Sequence, residues 1–529
     1  MAEAPASGYA PAVPARLDGL LAEAAAAAPG RTALVCGAES ISYGALDERA
    51  TAVAGALGEL LPEPGGTVAV ASVLHPDFAV AYYAAVRSGR RVAVVNPLLR
   101  EEDLLHVLTL GGARLAFVDA ALYERLAAVR DRLPELASVV LIGGAPVARP
   151  HATRPEGVHT LDGLAGAFRG AVSAPVPADP DEVACLQFTS GTTGRPKGVR
   201  LTHRNLTVNA DQIAGAHRLD DASVMVNHLP TFHPMHLNAA VRARATQVLC
   251  TGPAPADAVA AANEHGATHL YSLPVRLARL AADPSLDSLG LRTVRRIASG
   301  GSGLPVAAAA RLTERFGIPV FQGYGLAETS PLTHSDDADR PFHGSVGRPV
   351  PGTQCRVVDV ESRAVLAAGS VGEVQLRGPQ VMKGYAGGPD GAGLEPDGWL
   401  STGDVGRVAE DGRLFLLDRL RDVFKCDNFL VAPSEVELVL GRHPHVAESV
   451  VVDLPDGFGG AVAGALVVLA EGHGPDELDR VLAEANERLP YYQRVRRAQA
   501  VPAIPRSGNG KIQRRLLREQ LLAHLAAQV

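Results

Sequence analysis

Hydrophobic and polar positions follow two rhythms along the first part of the chain. Leu17-Asp-Gly-Leu-Leu-Ala-Glu-Ala-Ala and Phe78-Ala-Val-Ala-Tyr-Tyr-Ala-Ala-Val read as helices, whereas Thr67-Val-Ala-Val-Ala-Ser-Val, Arg91-Val-Ala-Val-Val-Asn, Leu115-Ala-Phe-Val-Asp and Glu182-Val-Ala-Cys-Leu-Gln-Phe are short apolar runs. Continuous apolar strands between helices predict a parallel sheet covered on both faces, which binds ligands at the carboxyl ends of its strands. Residues 148–180 are rich in Pro, Ala and Gly and read as a connector, and the alternation resumes from Val224 to Val320. After Pro349 come short β segments, Cys355-Arg-Val-Val-Asp-Val, Gly372-Glu-Val-Gln-Leu-Arg-Gly and Arg413-Leu-Phe-Leu-Leu-Asp, separated by Gly/Pro turns. Such spacing predicts antiparallel or barrel-like structure. Beyond Asp418 a tail of about 110 residues is large enough to fold as a small α+β domain. The expected fold is therefore α/β, with a large domain over 1–418 of parallel sheets and a β-barrel-like subdomain, and a small α+β domain over 419–529.

At 529 residues the chain exceeds what one core usually serves, and 47% hydrophobic with 20% charged residues supplies ample core material. A net charge of −7 argues against a nucleic-acid partner, which calls for a strongly basic face. Met1 to Pro14 lacks the basic start and apolar core of a secretory signal, and no apolar stretch reaches the ~18 residues of a membrane helix. Five scattered cysteines (Cys36, Cys185, Cys250, Cys355, Cys426) form no Cys-x-x-Cys pair. A reducing, cytoplasmic setting without structural zinc is expected.

The densest chemistry follows the run ending at Phe188. Thr189-Ser-Gly-Thr-Thr-Gly-Arg-Pro-Lys-Gly packs four hydroxyls (Thr189, Ser190, Thr192, Thr193), three glycines (Gly191, Gly194, Gly198) and Lys197 into ten positions. Close backbone approach, hydroxyl donors and a positive charge suit a polyphosphate. It is not a Walker A loop, which needs Gly-Lys followed by Ser or Thr; here Lys197 lies between Pro196 and Gly198. Further on stand Gly323-Tyr-Gly-Leu-Ala-Glu-Thr-Ser, Ser401-Thr-Gly-Asp404, Asp418-Arg-Leu-Arg-Asp-Val-Phe-Lys and Pro505-Arg-Ser-Gly-Asn-Gly-Lys511.

This order of motifs resembles the adenylate-forming superfamily of acyl- and aryl-CoA synthetases, firefly luciferase and peptide-synthetase adenylation domains, across about Arg16 to Leu521. The resemblance implies ATP-dependent adenylation of a small-molecule acid, releasing pyrophosphate, followed by transfer to CoA, with rotation of the small domain between the two steps. It implies an ATP site of Thr189, Ser190, Gly191, Thr192, Thr193, Gly194, Lys197, Gly301, Ser302, Tyr324 (against adenine), Gly325, Thr329, Asp404 (on the ribose hydroxyls) and Arg419. It places Mg²⁺ on Glu328 and Thr189, and catalysis on Lys511, Glu328 and, in the second step, Lys425, with the hinge at Arg421. Gly372 to Tyr385 also matches, as scaffold.

The substrate pocket implied by the resemblance involves His233, His236, Asn238, Gly300 and Gly323. Three histidines fall within nine residues (His228, His233, His236); with no carboxylate or cysteine beside them, a polar substrate pocket is favoured over a metal site. Two departures stand out. Ala327 replaces a Thr common before the Glu, leaving Thr329 as partial substitute, and Asn428 replaces a Gly in Lys-x-x-Gly-x-x-Val, where a side chain narrows the pantetheine tunnel. The acceptor thus stays open between CoA, a carrier protein and an amine, and a nitrite-activating diazotase acting on an aryl amine is a further alternative. A nucleotide-binding relative without turnover would be expected to lack Lys511 or Glu328, and no kinase signature is present.

Overall fold

The structure is a computed structural model that describes residues 9–63, 65–143, 157–170, 176, 179–189, 195–229, 233–427, 429–455, 461–506 and 512–526. The chain forms two compact units, one of Met1–Cys355 with Leu376–Leu400 and one of Arg356–Gln375 with Ser401–Val529.

The first unit contains two large sheets. One has the order Arg348–Pro349, Leu332–Ser335, Val320–Gly325, Arg296–Ser299, His269–Ser272, Val224–His228, Thr246–Leu249, Thr32–Cys36, Glu39–Ser42. It is parallel from Val320–Gly325 through Thr32–Cys36 and antiparallel at both ends. The other runs Gly384–Tyr385, Lys197–Thr202, Val183–Thr189, Arg91–Val94, Thr67–Ala71, Ala113–Val118, Ser138–Leu141, Val158–Thr160. Only its first two strands are antiparallel to their neighbours.

Burial explains why these runs are strands and helices. Every residue of Thr67–Ala71 is buried, as a strand covered on both faces demands. The helix Pro76–Arg87 is buried at all twelve positions, so it has no polar face to show. Its core cluster takes Leu34 from one sheet and Val68 and Val70 from the other, which places the helix between the two sheets. Pro at its first position and the His75 side chain accepting from the Asp77 N–H fix where it starts.

The stretch read as a connector holds more structure than expected. Its described part contains the strand Val158–Thr160, paired to Ser138–Leu141, and the helix Leu161–Ala167, which Thr160 caps. Two glycines in a seven-residue helix leave too little periodicity to read; burial of Leu161 and Leu164 secures it instead.

In the second unit the short β segments form a four-stranded sheet, Gln354–Val358, Gly372–Arg377, Leu400–Val408 and Leu414–Arg419. The tail builds a three-stranded sheet, Val446–Pro455, Ala461–Leu469 and Val495–Ala500, with helices Pro433–Leu440, Leu478–Glu487 and Arg514–Ala526. Val451 faces one core with Val436 and Val481, while Val450 and Val452 face another with Leu517 and Leu521, the period-two alternation of a strand with helices on both sides.

Candidate active site

The phosphate-loop motif is a hairpin, not a simple strand exit. Val183–Thr189 runs parallel to Arg91–Val94, and Lys197–Thr202 returns beside it, so that Thr189 pairs with Lys197 at the mouth. Ser190, Gly191, Thr192, Thr193 and Gly194 lie outside the described residues, as do Lys511 and Asn428. The base of the hairpin is tied on both sides. His106 Nε2 lies 2.9 Å from the Pro196 carbonyl, which only accepts, so Nε2 carries the proton. On the other side the Ala386 N–H donates to the Gly198 carbonyl at 2.7 Å.

The second motif ends a neighbouring sheet's strand. Arg296–Ser299 and Val320–Gly325 are adjacent and parallel, so Gly300–Ser302 and Gly323–Gly325 emerge together at carboxyl ends. A Cβ on Gly300 would meet nothing nearer than the Gly323 carbonyl at 3.9 Å, whereas one on Gly325 would lie 1.9 Å from the Pro331 carbonyl oxygen. Packing thus demands glycine at 325 and leaves room at 300. Tyr324 is 8% exposed, with its ring centroid 6.0 Å from that of His334, which burial drives down to a pKa of about 3.

Glu328 sits on the 3₁₀ turn Ala327–Thr329. The Tyr385 hydroxyl donates to its Oε1 at 2.9 Å, the Met382 N–H donates to its carbonyl at 2.8 Å, and Lys197 Nζ lies 5.0 Å from the Tyr385 ring centroid. Tyr385, on the stretch read as scaffold, therefore touches Lys197 of the first motif and Glu328 of the second. Burial and the adjacent Glu328 push its phenol pKa well up, so it stays a donor. Among the described residues no cation lies within salt-bridge range of Glu328, a half-buried carboxylate suited to a hard cation. Thr329 is fully buried; its hydroxyl accepts from the Leu326 N–H at 3.0 Å and faces the Pro331 carbonyl, an arrangement that shapes the turn.

The histidines divide. His228 uses both ring nitrogens, on Ser272 (3.1 Å) and the Gly252 carbonyl (3.0 Å). His233 caps the helix Pro234–Ala243, its Nδ1 accepting from the Met235 N–H at 3.2 Å, which leaves Nε2 as the protonated donor. The residue is exposed, while the protein around its ring lowers its pKa by desolvation to about 4. His236 packs edge-on to Tyr271 at 4.8 Å, its Nδ1 buried without a partner among the described residues and its pKa driven well down by desolvation. Asn238 turns the other way: it is 3% exposed, accepts from Tyr83 at 3.0 Å and donates to Tyr82 at 3.2 Å, inside the core around Pro76–Arg87. The reading of Asn238 as a pocket residue is thereby corrected, since its polar atoms are spent on the core.

In the second unit Asp404 and Arg419 are directly opposite on adjacent antiparallel strands, with Arg419 Nη1 2.6 Å from Asp404 Oδ1. Lys425 pairs with Glu361 at 2.5 Å, and Arg421 is exposed. Lys425 lies on the hairpin Phe424–Cys426/Phe429–Val431, where Asp427 takes φ +49°. The tail also gathers His445, His473 and Glu477, a trio that sequence reading missed. Their rings stack at 3.6 Å with both Nδ1 atoms 2.9 Å from the Glu477 carboxylate. Arg480 Nη2 donates to His445 Nδ1 at 3.0 Å and to Glu477 at 2.9 Å, and His473 Nδ1 bonds the other Glu477 oxygen, so the lone pair of His445 and the carboxylate are already engaged by a cation of the chain itself.

Comparison with known proteins finds relatives over nearly the whole chain. A family model described as AMP-binding enzyme matches residues 21–386, and one described as AMP-binding enzyme C-terminal domain matches 435–511. The chain is 33% identical to a 4-coumarate–CoA ligase-like protein of Oryza sativa subsp. japonica over 92% of its length and 83% of the relative's. It is similar to the crystal structure of ATP-bound MatB from Rhodopseudomonas palustris (27% identity, 96% and 99% coverage, TM-score 0.84). It is also similar to the amide bond synthetase McbA from Marinactinospora thermotolerans (26% identity, 95% and 99% coverage, TM-score 0.81).

Proposed function

The chain belongs to the AMP-binding enzyme family of adenylate-forming ligases, and from that premise we propose that it activates a small organic acid with ATP and passes the acyl group to CoA. The observation that carries this reading is the meeting of the hairpin lysine, Lys197, and the turn carboxylate, Glu328, on one tyrosine ring.

In the first half-reaction a carboxylate oxygen attacks the α-phosphorus of ATP, the bond to the bridging oxygen breaks, and pyrophosphate leaves with the electron pair. The residues Thr189 to Gly194 and Lys197 hold the phosphates. Gly300 to Ser302 and Gly323 to Gly325 line the adenine and acyl side, with Tyr324 against the base. Asp404 takes the ribose hydroxyls with Arg419 beside it, and Lys511 stabilises the charge that develops at the α-phosphate. Glu328 and Thr189 are the residues that would hold Mg²⁺; bound with ATP, it supplies neutralisation of the phosphate charge. His233, a neutral Nε2–H donor, faces the substrate carboxylate, and His236 lines the pocket. In the second half-reaction the CoA sulfur attacks the acyl carbonyl and AMP leaves, after residues 419–529 turn about Arg421 to bring in Lys425.

A second reading keeps the adenylation and gives the acyl group to an amine or carrier protein. It is supported by the likeness to an amide bond synthetase and by Asn428 in place of a glycine. Pyrophosphate release with MgATP, measured across aliphatic acids, aromatic acids and nitrite, with and without CoA, separates the readings. CoA-dependent turnover of an organic acid is expected. Turnover indifferent to CoA moves the proposal to another acceptor, turnover only with nitrite and an aryl amine points to a diazotase, and no turnover with any of them sinks it. Lys511→Ala should slow adenylation by about 10²–10³ while sparing the reaction of supplied acyl-adenylate with acceptor.

A further inference from the structure

We infer that Tyr385 is a positioning residue of the MgATP site, a ring placed between Lys197 and Glu328 so that neither charge is spent on the other. The inference rests on the adenylating reading for the roles of those two residues. Lys197 and Glu328 carry opposite charges and approach one ring from two sides, with Nζ 5.0 Å from its centroid and Oε1 2.9 Å from its hydroxyl. Among the described residues no ion pair joins them. Left to themselves, two half-buried opposite charges pair directly, and such a pair must be broken each time a polyphosphate and a cation arrive. The ring gives each a weaker partner, a π face for the ammonium and one phenolic hydrogen bond for the carboxylate. The ammonium leaves the ring readily for phosphate, while the hydroxyl keeps Glu328 Oε1 and holds the carboxylate with its other oxygen free for the metal.

The backbone shows that the ring's place is built. The two-residue strand Gly384–Tyr385 pairs with the returning arm of the phosphate hairpin, Tyr385 opposite Val199. Met382 is bonded to the Glu328 carbonyl and Ala386 to the Gly198 carbonyl, so the residues flanking the ring reach both elements. Beneath the ring lies Gly393, at φ +93°, where an added Cβ would come within 2.4 Å of Tyr385 Cε2. A side chain at 393 would displace the ring.

A merely structural tyrosine would serve equally well as phenylalanine. Calorimetric titration of the full chain with ATP, with Mg²⁺ and with EDTA, tests the difference in Tyr385→Phe. The expected result is an unchanged melting midpoint and unchanged affinity for ATP in EDTA. The gain in affinity that Mg²⁺ confers should fall about tenfold, the scale of one hydrogen bond to a charged group. In turnover the KM for MgATP should rise while that for the acid stays put. Tyr385→Leu, which removes the ring as well, should also weaken ATP in EDTA. An equal or larger Mg²⁺ gain in Tyr385→Phe overturns the inference, and so does a parallel loss with and without Mg²⁺. Wild-type protein that binds no MgATP overturns it together with the adenylating reading; binding with the same Mg²⁺ response in both proteins overturns the role of Tyr385 alone.

Discussion

At the scale of single residues, the motifs disclosed types and spacing, and the structure added what each side chain is free to do. Gly325 has no alternative, because any Cβ there would lie 1.9 Å from a backbone oxygen. Gly325→Ala should therefore cost about 3 kcal/mol or more, the range of strongly disruptive substitutions, read as a shift of the denaturation midpoint. Asn238 misled because a polar residue near a motif looks the same in sequence whether it faces a ligand or two buried tyrosines. Tyr385 and His106 were illegible for the converse reason: each acts across a gap of 57 or 90 residues. Asp418, beside the expected hinge, has its carboxyl pKa raised by burial from 3.8 to about 6, against the Ser434 N–H and Arg514, which lower it. Its folded form holds the proton more tightly than its unfolded form, so its stabilising contribution is whole below pH 3.8 and is lost as pH rises to about 6. Asp418→Asn, a neutral stand-in, should gain stability relative to wild type between those limits. A stability difference that stays constant from pH 4 to 7 would falsify the assignment.

At the scale of elements, strand and helix positions in the first unit followed from apolar runs because their residues are covered on both faces and have no polar alternation to confuse the reading. The hairpin at the phosphate motif was invisible, since Lys197–Thr202 carries the motif's own Lys and Gly where a strand pattern would need more apolar residues. Its geometry depends on attachments from elsewhere in the fold, and His106 on the helix Glu101–Gly111 is one of them. His106→Ala removes the donor to Pro196 and should raise the KM for ATP by about tenfold, the effect of one lost hydrogen bond. His106→Gln, which keeps an N–H, should recover part of that loss. Equal KM values for wild type and His106→Ala would show that the hairpin is set without this bond.

At the scale of the molecule, the first unit buries an unusual set of neutral histidines. Burial lowers the pKa of His203 to about 4 and of His217 and His334 to about 3, so each is neutral when folded and gains a proton readily only when unfolded. Stability supplied by their neutral forms is whole above the unfolded pKa of 6.5 and is lost as pH falls below it, by up to about 1.4 kcal/mol per pH unit for each group. Unfolding free energy from denaturant titrations should thus be level from pH 7 to 8 and decline from 6.5 to 4; a flat profile through that window would sink the prediction. The sequence by itself determined the fold class, the order of the chemical motifs and the family, because apolar periodicity is local and the phosphate, adenine and lysine motifs are contiguous in the chain. Tertiary structure alone decided that Leu376–Leu400 returns to the first unit, that Asp404 and Arg419 stand opposite each other, and that one tyrosine joins the two phosphate motifs. These are contacts between residues far apart in sequence, fixed by sheet register and side-chain packing, and neither leaves a periodic trace in the order of amino acids.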